Sequence, residues 1–387
     1  MNRREFLHTT AGFAALGSSA LAQGSQPRQA IKPPMKAAVI GHTNRGRYGH
    51  GHEFVFMNRP GIETVAVADP VEGGRKKVQE AIGALRGYAD YREMLERERP
   101  DFVMLALRWT EERLAMATAA LNIGAHVICE KPFTHSLEDA DAMVAHAKRV
   151  MRKFAVTHPM RLAPSTVFLK RRMDEGLIGE LRSIRANSSQ GRRSGGEDML
   201  VQGVHMFDLL RLFAGNATEV NARILQSGRG ITLADVKAGD YDKEIGPIAG
   251  DDVEAWFKMA GGVQVHFCSQ REPTAPTPAG PYSLEFIGTK GAARMKLKAE
   301  PNVTVQHGSE WRALDGDPSA TAEKVIHGPN RRIVDDWLAA ITENREPKCS
   351  CYDGMKTVEM VQAVYAAGLS RQSVALPLKN RRHPLLG

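Results

Sequence analysis

The feature that most constrains the fold of this chain is an alternation of short apolar runs and helical patterns between residues 36 and 156. The first run, Lys36 to Ile40, leads directly into the loop Gly41-His42-Thr43-Asn44-Arg45-Gly46, and the second, Glu63 to Ala68, ends at Asp69. Further runs occur at 102–107, 126–128 and 154–156, with helical patterns at 91–97, 111–122 and 136–150. Strands that alternate with helices through short loops form parallel sheets. The pattern therefore predicts an α/β domain with a doubly wound parallel sheet.

The pattern changes beyond residue 157. Apolar runs at 253–259 and 263–267 flank Gly261-Gly262, and runs at 284–287 and 292–297 flank Thr289-Lys290-Gly291. Paired runs around such turns are typical of β-hairpins. A second domain, 158–387, is predicted to be α+β with a large, open and mostly antiparallel sheet. Closing helices are expected at 331–341 and 354–369.

The first 34 residues are predicted to be a signal and linker that lie outside the fold. Arg3-Arg4 precedes an apolar stretch from Ala11 to Leu21, and Ala20-Leu21-Ala22 supplies a small-x-small cleavage pattern. This order is typical of a twin-arginine signal, whose machinery exports proteins already folded around a cofactor. We therefore expect a periplasmic or exported protein. No other stretch approaches the length of a membrane span, so none is expected after cleavage.

Composition excludes some function classes. Of 387 residues 42% are hydrophobic, as in an ordinary soluble protein, and the 52 lysines and arginines against 44 acids are spread along the chain. Without a basic tract, nucleic-acid binding is not expected. The four cysteines, Cys129, Cys268, Cys349 and Cys351, are too few and irregular for a disulfide framework. No metal site is predicted, and buried thiols are favoured over a single disulfide, which stays open.

The loop after the first strand predicts dinucleotide binding. Gly41 and Gly46 stand at the first and third glycine positions of the fingerprint, whereas Thr43 replaces the second and offers a hydroxyl to a phosphate. Asn44 and Arg45 belong to the same loop. Asp69 lies 23 residues beyond Gly46, where a carboxylate binds the adenosine ribose and repels a 2′-phosphate. NAD is thus favoured, while the basic residues Arg45, Arg47 and Arg75 keep NADP open.

Glu130-Lys131-Pro132 follows the apolar run Ala125 to Ile128. A strand that ends there delivers Lys131 to the carboxyl edge of the parallel sheet, where ligands of such folds bind. A lysine becomes an acid/base near neutral pH when burial or a nearby positive charge lowers its pKa, and an oxidised nicotinamide ring is such a charge. Glu130 is expected to orient or partly neutralise the ammonium.

Together these motifs resemble the glucose-fructose oxidoreductase, inositol dehydrogenase and rhizopine-catabolism (Gfo/Idh/MocA) superfamily over about residues 36 to 375. The resemblance implies an N-terminal Rossmann domain at 35–157 and makes Lys131 the main acid/base, in contact with nicotinamide ribose and substrate. Where the family commonly has Thr-Pro-Asn and then a histidine, this chain has Arg108-Trp109-Thr110 and Arg113. Arg108 is expected near the cofactor. Trp109 either stacks on cofactor or sugar or packs in the interior.

The second family signature is an aspartate with a histidine four residues later. Here Gln202-Gly203-Val204-His205-Met206-Phe207-Asp208 matches its latter part, so the resemblance makes His205 the residue that shares a substrate proton with Lys131, with Asp208 in support. Val201 stands where the family has its aspartate, and Glu197, Asp198 or Gln202 are candidate replacements. Arg161, which follows strand six, is predicted either to reach substrate or to form a surface ion pair.

The leading hypothesis is reversible hydride transfer between a hydroxyl carbon of a sugar, polyol or sugar acid and a tightly held nicotinamide cofactor. One alternative is a redox-neutral glycosidase or epimerase that acts through a transient keto-sugar. Another, favoured by Val201, is a nucleotide-loaded sugar-binding protein without turnover. The resemblance also implies a substrate-binding and oligomerisation role for 158–387, hence a homodimer or homotetramer.

Overall fold

A computed structural model describes residues 33–188, 193–238, 245–271, 280–297, 303–318 and 328–387. The predicted twin-arginine signal, residues 1–22, lies outside the described residues, as does most of the proline-rich connection from Pro273 to Pro281. Within the described part of the chain, no helix is both long enough and apolar enough to cross a membrane.

The N-terminal half is built on a six-stranded parallel sheet with the order β3-β2-β1-β4-β5-β6. Its strands are β1 (Met35–Ile40), β2 (Ile62–Ala68), β3 (Arg86–Tyr88), β4 (Phe102–Leu105), β5 (His126–Cys129) and β6 (Phe154–Val156). Its helices are α1 (Glu72–Ile82), α2 (Tyr91–Glu98), α3 (Arg113–Asn122) and α4 (Leu137–Arg149). The strand order is that of a dinucleotide-binding Rossmann sheet, which confirms the predicted doubly wound architecture.

Two elements of the N-terminal half, one strand and one helix, were not predicted. Neither has the pattern of buried apolar residues that identifies a strand or a helix in a sequence. The edge strand β3 spans three residues, none of them fully buried. Helix α1 buries only Ile82 along its whole length, so no apolar stripe marks it. By contrast, β4 is buried throughout and α4 begins at Ser136, whose side chain accepts a hydrogen bond from the Asp139 N–H. Strong patterns gave correct elements and weak ones were missed.

The C-terminal half carries a ten-stranded mixed sheet with the main order β17-β16-β15-β14-β7-β13-β12-β8-β18, with β9 paired to β8. Its strands are β7 (Leu181–Asn187), β8 (Ala217–Gln226), β9 (Arg229–Gly230), β12 (Asp252–Met259), β13 (Gln264–Gln270), β14 (Ser283–Gly288), β15 (Ala292–Lys296), β16 (Val303–His307), β17 (Glu310–Ala313) and β18 (Val374–Ala375), while β10 (Lys237–Ala238) and β11 (Pro247–Ile248) form a separate pair. The helices are α5 (Pro164–Asp174), α6 (Gly195–Asp198), α7 (Val204–Ala214), α8 (Gly328–Thr342) and α9 (Cys351–Ser370). Both predicted hairpins are present, and the β7–β13 pair is parallel, whereas the other pairs in this sheet are antiparallel.

One face of the large sheet is packed and the other is open. Along β12, Val253, Ala255 and Phe257 are buried, whereas the ring of Trp256 points to the opposite face and is 46% exposed. This alternation is the period-2 pattern of a strand with one buried side. Helices α7 and α9 contribute their apolar residues to the same core as the buried strand residues. Helix α9 also packs against β6 and α4 of the N-terminal half, so it joins α7 to the parallel sheet.

Candidate active site

A cavity of about 750 Å³ lies where the carboxyl edge of the parallel sheet meets the start of α7. Its wall includes side chains from the loop after β1 and the end of β5, namely Arg47, His50, His52, Glu130 and Lys131. Facing residues come from the turn before α7 and from α7 itself, namely Leu200, Val201, Gln202 and His205. The structure thus brings together around one cavity five of the predicted site residues, Lys131, His205, Glu130, Gln202 and Arg108.

Glu130 is fully buried and its carboxylate is shared by three donors. His50 Nδ1 lies 2.5 Å from Oε1, and His52 Nε2 lies 2.5 Å from Oε2. The Thr157 hydroxyl also donates to Oε2 at 2.7 Å. Burial alone would raise the pKa of Glu130, but the charge and hydrogen bonds of the two histidines hold that pKa well below its ordinary value. Glu130 is therefore an anchored carboxylate. The contacts that anchor it go to two histidines and a threonine, whereas the sequence predicted that it would orient or partly neutralise the Lys131 ammonium.

Two further residues position the Glu130-Lys131-Pro132 segment. Gly49 packs so closely on Glu130 that a Cβ there would lie 2.7 Å from the carboxylate. Arg113, fully buried, donates to the main-chain carbonyls of Glu130 at 2.5 Å and Leu107 at 2.8 Å. Arg113, which stands where the family has a histidine, thus fixes the turn after β5 through main-chain contacts.

Lys131 is held by the main chain of the facing segment. Its Nζ donates a hydrogen bond to the carbonyl oxygen of Val201 at 2.8 Å. The residue as a whole is 5% exposed. Val201 lies in a π-helical turn, Met199–Gly203, immediately before α7. Such turns change the direction of main-chain carbonyls and are frequent at functional sites. A carbonyl at position 201 therefore contacts the lysine although the side chain there is apolar.

His205 is buried beside Lys131 on the cavity wall. Burial, together with the positive charge of Lys131, lowers the pKa of His205 well below its ordinary value, so its imidazole is neutral near pH 7. His158, fully buried, packs edge-on against His205 with ring centroids 5.6 Å apart. A neutral imidazole accepts a proton, which is the role predicted for His205.

Arg161 and Asp208 form a separate network behind this wall. Arg161 Nε lies 2.9 Å from Asp208 Oδ2, and Nη2 lies 2.6 Å from Oδ1. The pair is buried, with side-chain exposures of 11% and 1%. Arg161 also lies 3.8 Å from Asp353, which accepts a hydrogen bond from Arg211 at 2.8 Å. The structure thus places Arg161 in a buried ion pair, rather than the surface pair or substrate contact that the sequence suggested.

The predicted ribose carboxylate, Asp69, is fully buried at the end of β2. Its Oδ2 accepts hydrogen bonds from the Thr43 N–H at 2.9 Å, the Thr43 hydroxyl at 2.6 Å and the Tyr48 hydroxyl at 3.0 Å. Oδ1 accepts from the Val71 N–H at 2.9 Å. The Thr43 hydroxyl therefore binds Asp69 in place of the phosphate that was expected. The Tyr48 ring packs against Gly41 and brings its hydroxyl to this carboxylate.

The other loop residues pack around Trp109. The indole is 5% exposed, and the Arg45 guanidinium lies over its ring, 4.8 Å from the ring centroid. Gly46 has φ +66°, and a Cβ there would lie 2.3 Å from the Trp109 main-chain nitrogen, so only glycine fits this turn. Arg108 Nε donates to the Gly46 carbonyl at 3.1 Å. Trp109 therefore has the packing role, whereas Asn44 is exposed in the turn.

The candidates to replace the missing aspartate differ in their placement. Gln202 lines the cavity. Asp198 is fully buried and accepts a hydrogen bond from the Ser269 hydroxyl at 2.7 Å, and Glu197 lies 3.4 Å from Arg193.

All four cysteines are buried and free, and burial raises the pKa of the Cys129 thiol to about 11.

Sequence reasoning missed His50, His52 and Thr157. The glycine fingerprint was followed only as far as Gly46, and the spacing of His50-Gly51-His52 was the signal that could have extended it. No metal ligand was predicted, yet the fold brings one ligand atom each of His50, His52 and Glu130 within 4.8 Å of one another.

A Rossmann sheet joined to a second sheet domain, with a lysine at the sheet edge facing a histidine on the second domain, defines a two-domain nucleotide-dependent oxidoreductase. The comparison with known families agrees. Residues 35–158 match the NAD-binding Rossmann-fold domain of the Gfo/Idh/MocA oxidoreductase family, and residues 170–376 match its C-terminal α/β domain. The chain belongs to this family and is an NAD-dependent oxidoreductase.

Known relatives cover most of the chain. D-apiose dehydrogenase of Paraburkholderia graminis is 26% identical in an alignment 356 residues long that covers 88% of this chain and 89% of that protein. The NAD-dependent scyllo-inositol 2-dehydrogenase of Bacillus subtilis is 27% identical over 70% of this chain and 76% of its own length. The solved structure of a levoglucosan dehydrogenase with NADH and levoglucosan has a TM-score of 0.71 at 19% identity, covering 89% of this chain and all of the other.

Proposed function

We propose that this protein oxidises a hydroxyl group of a sugar, polyol or sugar acid by hydride transfer to NAD, in a reversible reaction. The observation that carries the proposal is that Lys131 and His205 both line a cavity of about 750 Å³ at the carboxyl edge of the nucleotide-binding sheet. The volume is that of a typical small-molecule site. The named relatives act on D-apiose, scyllo-inositol and levoglucosan, which supports a carbohydrate substrate.

The residues present fit NAD. Arg47 and Arg108 put positive charge on the cavity wall beside the glycine loop, and the buried carboxylate of Asp69 disfavours a 2′-phosphate. When bound, NAD accepts the hydride from the substrate carbon. The chain's own residues handle the proton: Lys131 first loses one ammonium proton to solvent in the cavity, and as the neutral amine it then takes the proton of the substrate hydroxyl, which neutral His205 shares. The Val201 carbonyl fixes the direction of the Lys131 ammonium, so the lysine is oriented before substrate binds.

The test is direct. Purified protein, loaded with NAD, is mixed with a panel of aldoses, inositols, anhydrosugars and sugar acids while the absorbance of reduced nicotinamide is followed. We expect reduction with at least one of these substrates. Tight sugar binding without reduction by any ligand would instead support the non-catalytic sugar-binding alternative.

The same panel separates the redox-neutral alternative. In deuterated water, a glycosidase or epimerase that works through a transient keto-sugar incorporates deuterium next to the oxidised carbon and accumulates no NADH. Mass spectrometry of the product therefore distinguishes it from net dehydrogenation. The dehydrogenase proposal requires NADH in proportion to oxidised product.

Export belongs to the proposal as well, because Arg3-Arg4, the apolar stretch and the Ala20-Leu21-Ala22 pattern stand in the order of a twin-arginine signal. Residues 1–34 fused to a folded reporter should direct it to the periplasm. The matched double variant Arg3→Lys/Arg4→Lys should leave the reporter in the cytoplasm. Equal export of both fusions would reject this part of the proposal.

The open face of the large sheet is proposed to bind a second copy of the chain. Trp256, 46% exposed, stacks on His266 at 5.3 Å and gives that face an aromatic centre. Native mass spectrometry should show a dimer or tetramer that Trp256→Glu dissociates. A monomeric wild-type protein would contradict this assignment without affecting the catalytic one.

A further inference from the structure

The cavity wall contains a cluster of two imidazoles and one carboxylate, and the proposed hydride and proton transfer gives the two imidazoles no role. His50 and Gly51 have positive φ values of 51° and 75°, and the short helix that follows begins at His52. This sharp turn directs both histidines of a His-x-His pair at the Glu130 carboxylate, each at 2.5 Å. A non-glycine residue in this backbone region is uncommon and often marks a functional site.

The cluster combines buried and accessible members. Glu130 and His52 have side-chain exposures of 0% and 2%, whereas His50 is 52% exposed. All three line the cavity, so an ion entering from the cavity reaches them without passing through the core. One coordination position of such an ion would remain directed at the space that holds the substrate.

The surroundings hold the Glu130 carboxylate and the main chain of the histidine loop in place. The Thr157 hydroxyl donates to Glu130 at 2.7 Å, which is the kind of outer contact that orients ligating carboxylates. Asn330 Nδ2 donates to the His50 carbonyl at 2.8 Å, and the Gly49 N–H donates to the Ala106 carbonyl at 2.7 Å. The histidine loop is therefore tied to the parallel sheet and to α8.

Two histidines and a glutamate, with a fourth position left open, form a ligand set used by catalytic zinc sites. Metal–ligand bonds of about 2.1 Å in a tetrahedron put the ligand atoms roughly 3.4 Å apart. The three atoms now lie within 4.8 Å of one another, and the two histidine–carboxylate contacts would lengthen by about 1 Å. The exposed His50 side chain has room for that movement.

We propose that His50, His52 and Glu130 bind one first-row divalent transition metal ion of the zinc type, with an open coordination position that faces the cavity. The ligand for that position is an oxygen, either of water or of a substrate hydroxyl or carboxylate. A metal there would anchor Glu130 and act as a Lewis acid a short distance from Lys131. The metal-site proposal goes beyond the dehydrogenase function. Metal binding and NAD reduction are tested by separate measurements.

The test uses the full-length protein, treated with a chelator and then titrated with Co²⁺ as a spectroscopic substitute for Zn²⁺. We expect one equivalent of bound Co²⁺ with the visible absorption of a low-coordinate nitrogen and oxygen site, and no thiolate charge-transfer band because the cluster contains no cysteine. Isothermal titration with Zn²⁺ gives the stoichiometry and Kd independently of any catalytic assay.

Variants locate the ion. His50→Ala and His52→Ala should each weaken Co²⁺ binding by more than about 100-fold, whereas Thr157→Val, which removes an outer contact, should weaken it by about 10-fold to 100-fold. His307→Ala is the matched control, because His307 is an exposed histidine on β16, and it should bind as the wild type does. Thermal unfolding and NAD binding of every variant show whether it is folded.

Two results would overturn the proposal. One is the absence of stoichiometric binding by folded wild-type protein, which would make the cluster a hydrogen-bonded support for Glu130. The other is equal binding by the His52→Ala and wild-type proteins, which would assign the ion to an adventitious site. Neither result would affect the reduction of NAD by a sugar.

Discussion

Two buried carboxylates, Glu130 and Asp208, each lie next to a proposed proton-transfer residue, and they are held in opposite ways. Glu130, beside Lys131, is contacted by two histidines and faces the cavity. Asp208, three residues from His205 on α7, is bound by the forked guanidinium of Arg161. Histidine partners exchange protons and bind metals near neutral pH, but arginine partners stay charged. The first arrangement can take part in chemistry, and the second supports the fold.

The largest expected effect is on the cavity side. Lys131→Met removes the ammonium but retains much of the apolar stem, so turnover should fall by about 10²-fold to 10⁴-fold, the usual contribution of a general acid or base. The Kd for NAD should change only a few-fold. Steady-state kinetics and NAD titration of the same preparation test this, and turnover within ten-fold of the wild type would remove Lys131 from the mechanism.

On the other side, Asp208→Asn should affect stability before chemistry. Breaking a buried ion pair leaves Arg161 charged without its partner and costs about 3–5 kcal/mol in the free energy of unfolding. Turnover per folded molecule should stay within a few-fold, as denaturant unfolding and activity assays together would show. The matched double variant Arg161→Met/Asp208→Leu, which leaves no unpaired charge, should recover much of the stability. If Asp208→Asn instead lowers turnover 100-fold in fully folded protein, Asp208 takes part in the chemistry as Glu130 is proposed to do.

The position of Glu130 can be disturbed without removing it. Gly49→Ala adds a Cβ that would lie 2.7 Å from the Glu130 carboxylate, so the carboxylate must shift. A displacement of this size should lower turnover by about 10-fold to 100-fold while the protein stays folded. Gly73→Ala is the control, because a Cβ at Gly73 on α1 has no neighbour within 4 Å in the described structure. Equal activity of the two variants would show that the placement of Glu130 does not matter.

Two histidines far from the cavity should make stability depend on pH. The main-chain N–H groups of Lys153 and Leu385 donate to Nδ1 of His126 and His383, so each of those nitrogens is unprotonated. Burial lowers the pKa of each histidine from 6.5 to about 4. Because the unfolded chain binds the proton more tightly, the free energy of unfolding should be highest above pH 6.5 and fall between pH 6.5 and 4.

His126→Asn retains an acceptor oxygen but cannot titrate in this range. It should reduce the loss of stability on acidification, measured by urea unfolding at a series of pH values. An unchanged slope would show that His126 does not contribute.

The smallest expected effect concerns the partner of Lys131. Since the contact is made by the main-chain carbonyl of Val201, Val201→Ala should leave turnover within about three-fold of the wild type. Kinetics with a small and a large substrate would show whether only the shape of the cavity has changed. A ten-fold loss with both substrates would mean that the side chain itself orients the lysine.

The sequence was sufficient to predict an element and its role where a local pattern of apolar residues lies directly beside a functional residue or a turn. The apolar run before Glu130-Lys131-Pro132 predicted both β5 and the delivery of Lys131 to the sheet edge. Both hairpins of the second sheet followed from paired runs around glycine turns. The family, its cofactor and the fold class were predicted correctly from such segments.

The remaining features depend on contacts that no local pattern carries. His50 meets Glu130 across 80 positions of sequence, and Arg161 meets Asp208 across 47. The role of residue 201 could not be predicted for a different reason. The sequence gives the identity of its side chain, whereas Lys131 binds its main-chain carbonyl oxygen. A valine there argued against activity, but the π-helical turn supplies the oxygen that Lys131 binds.

That carbonyl has an evolutionary consequence. Every amino acid carries the same main-chain oxygen, so no single substitution at position 201 deletes the acceptor for Lys131 while the turn before α7 persists. The side chain there also lines the cavity. Selection can therefore change residue 201 to fit a new carbohydrate and still keep the orientation of the lysine, which makes this wall a place where substrate preference can diverge without loss of the reaction.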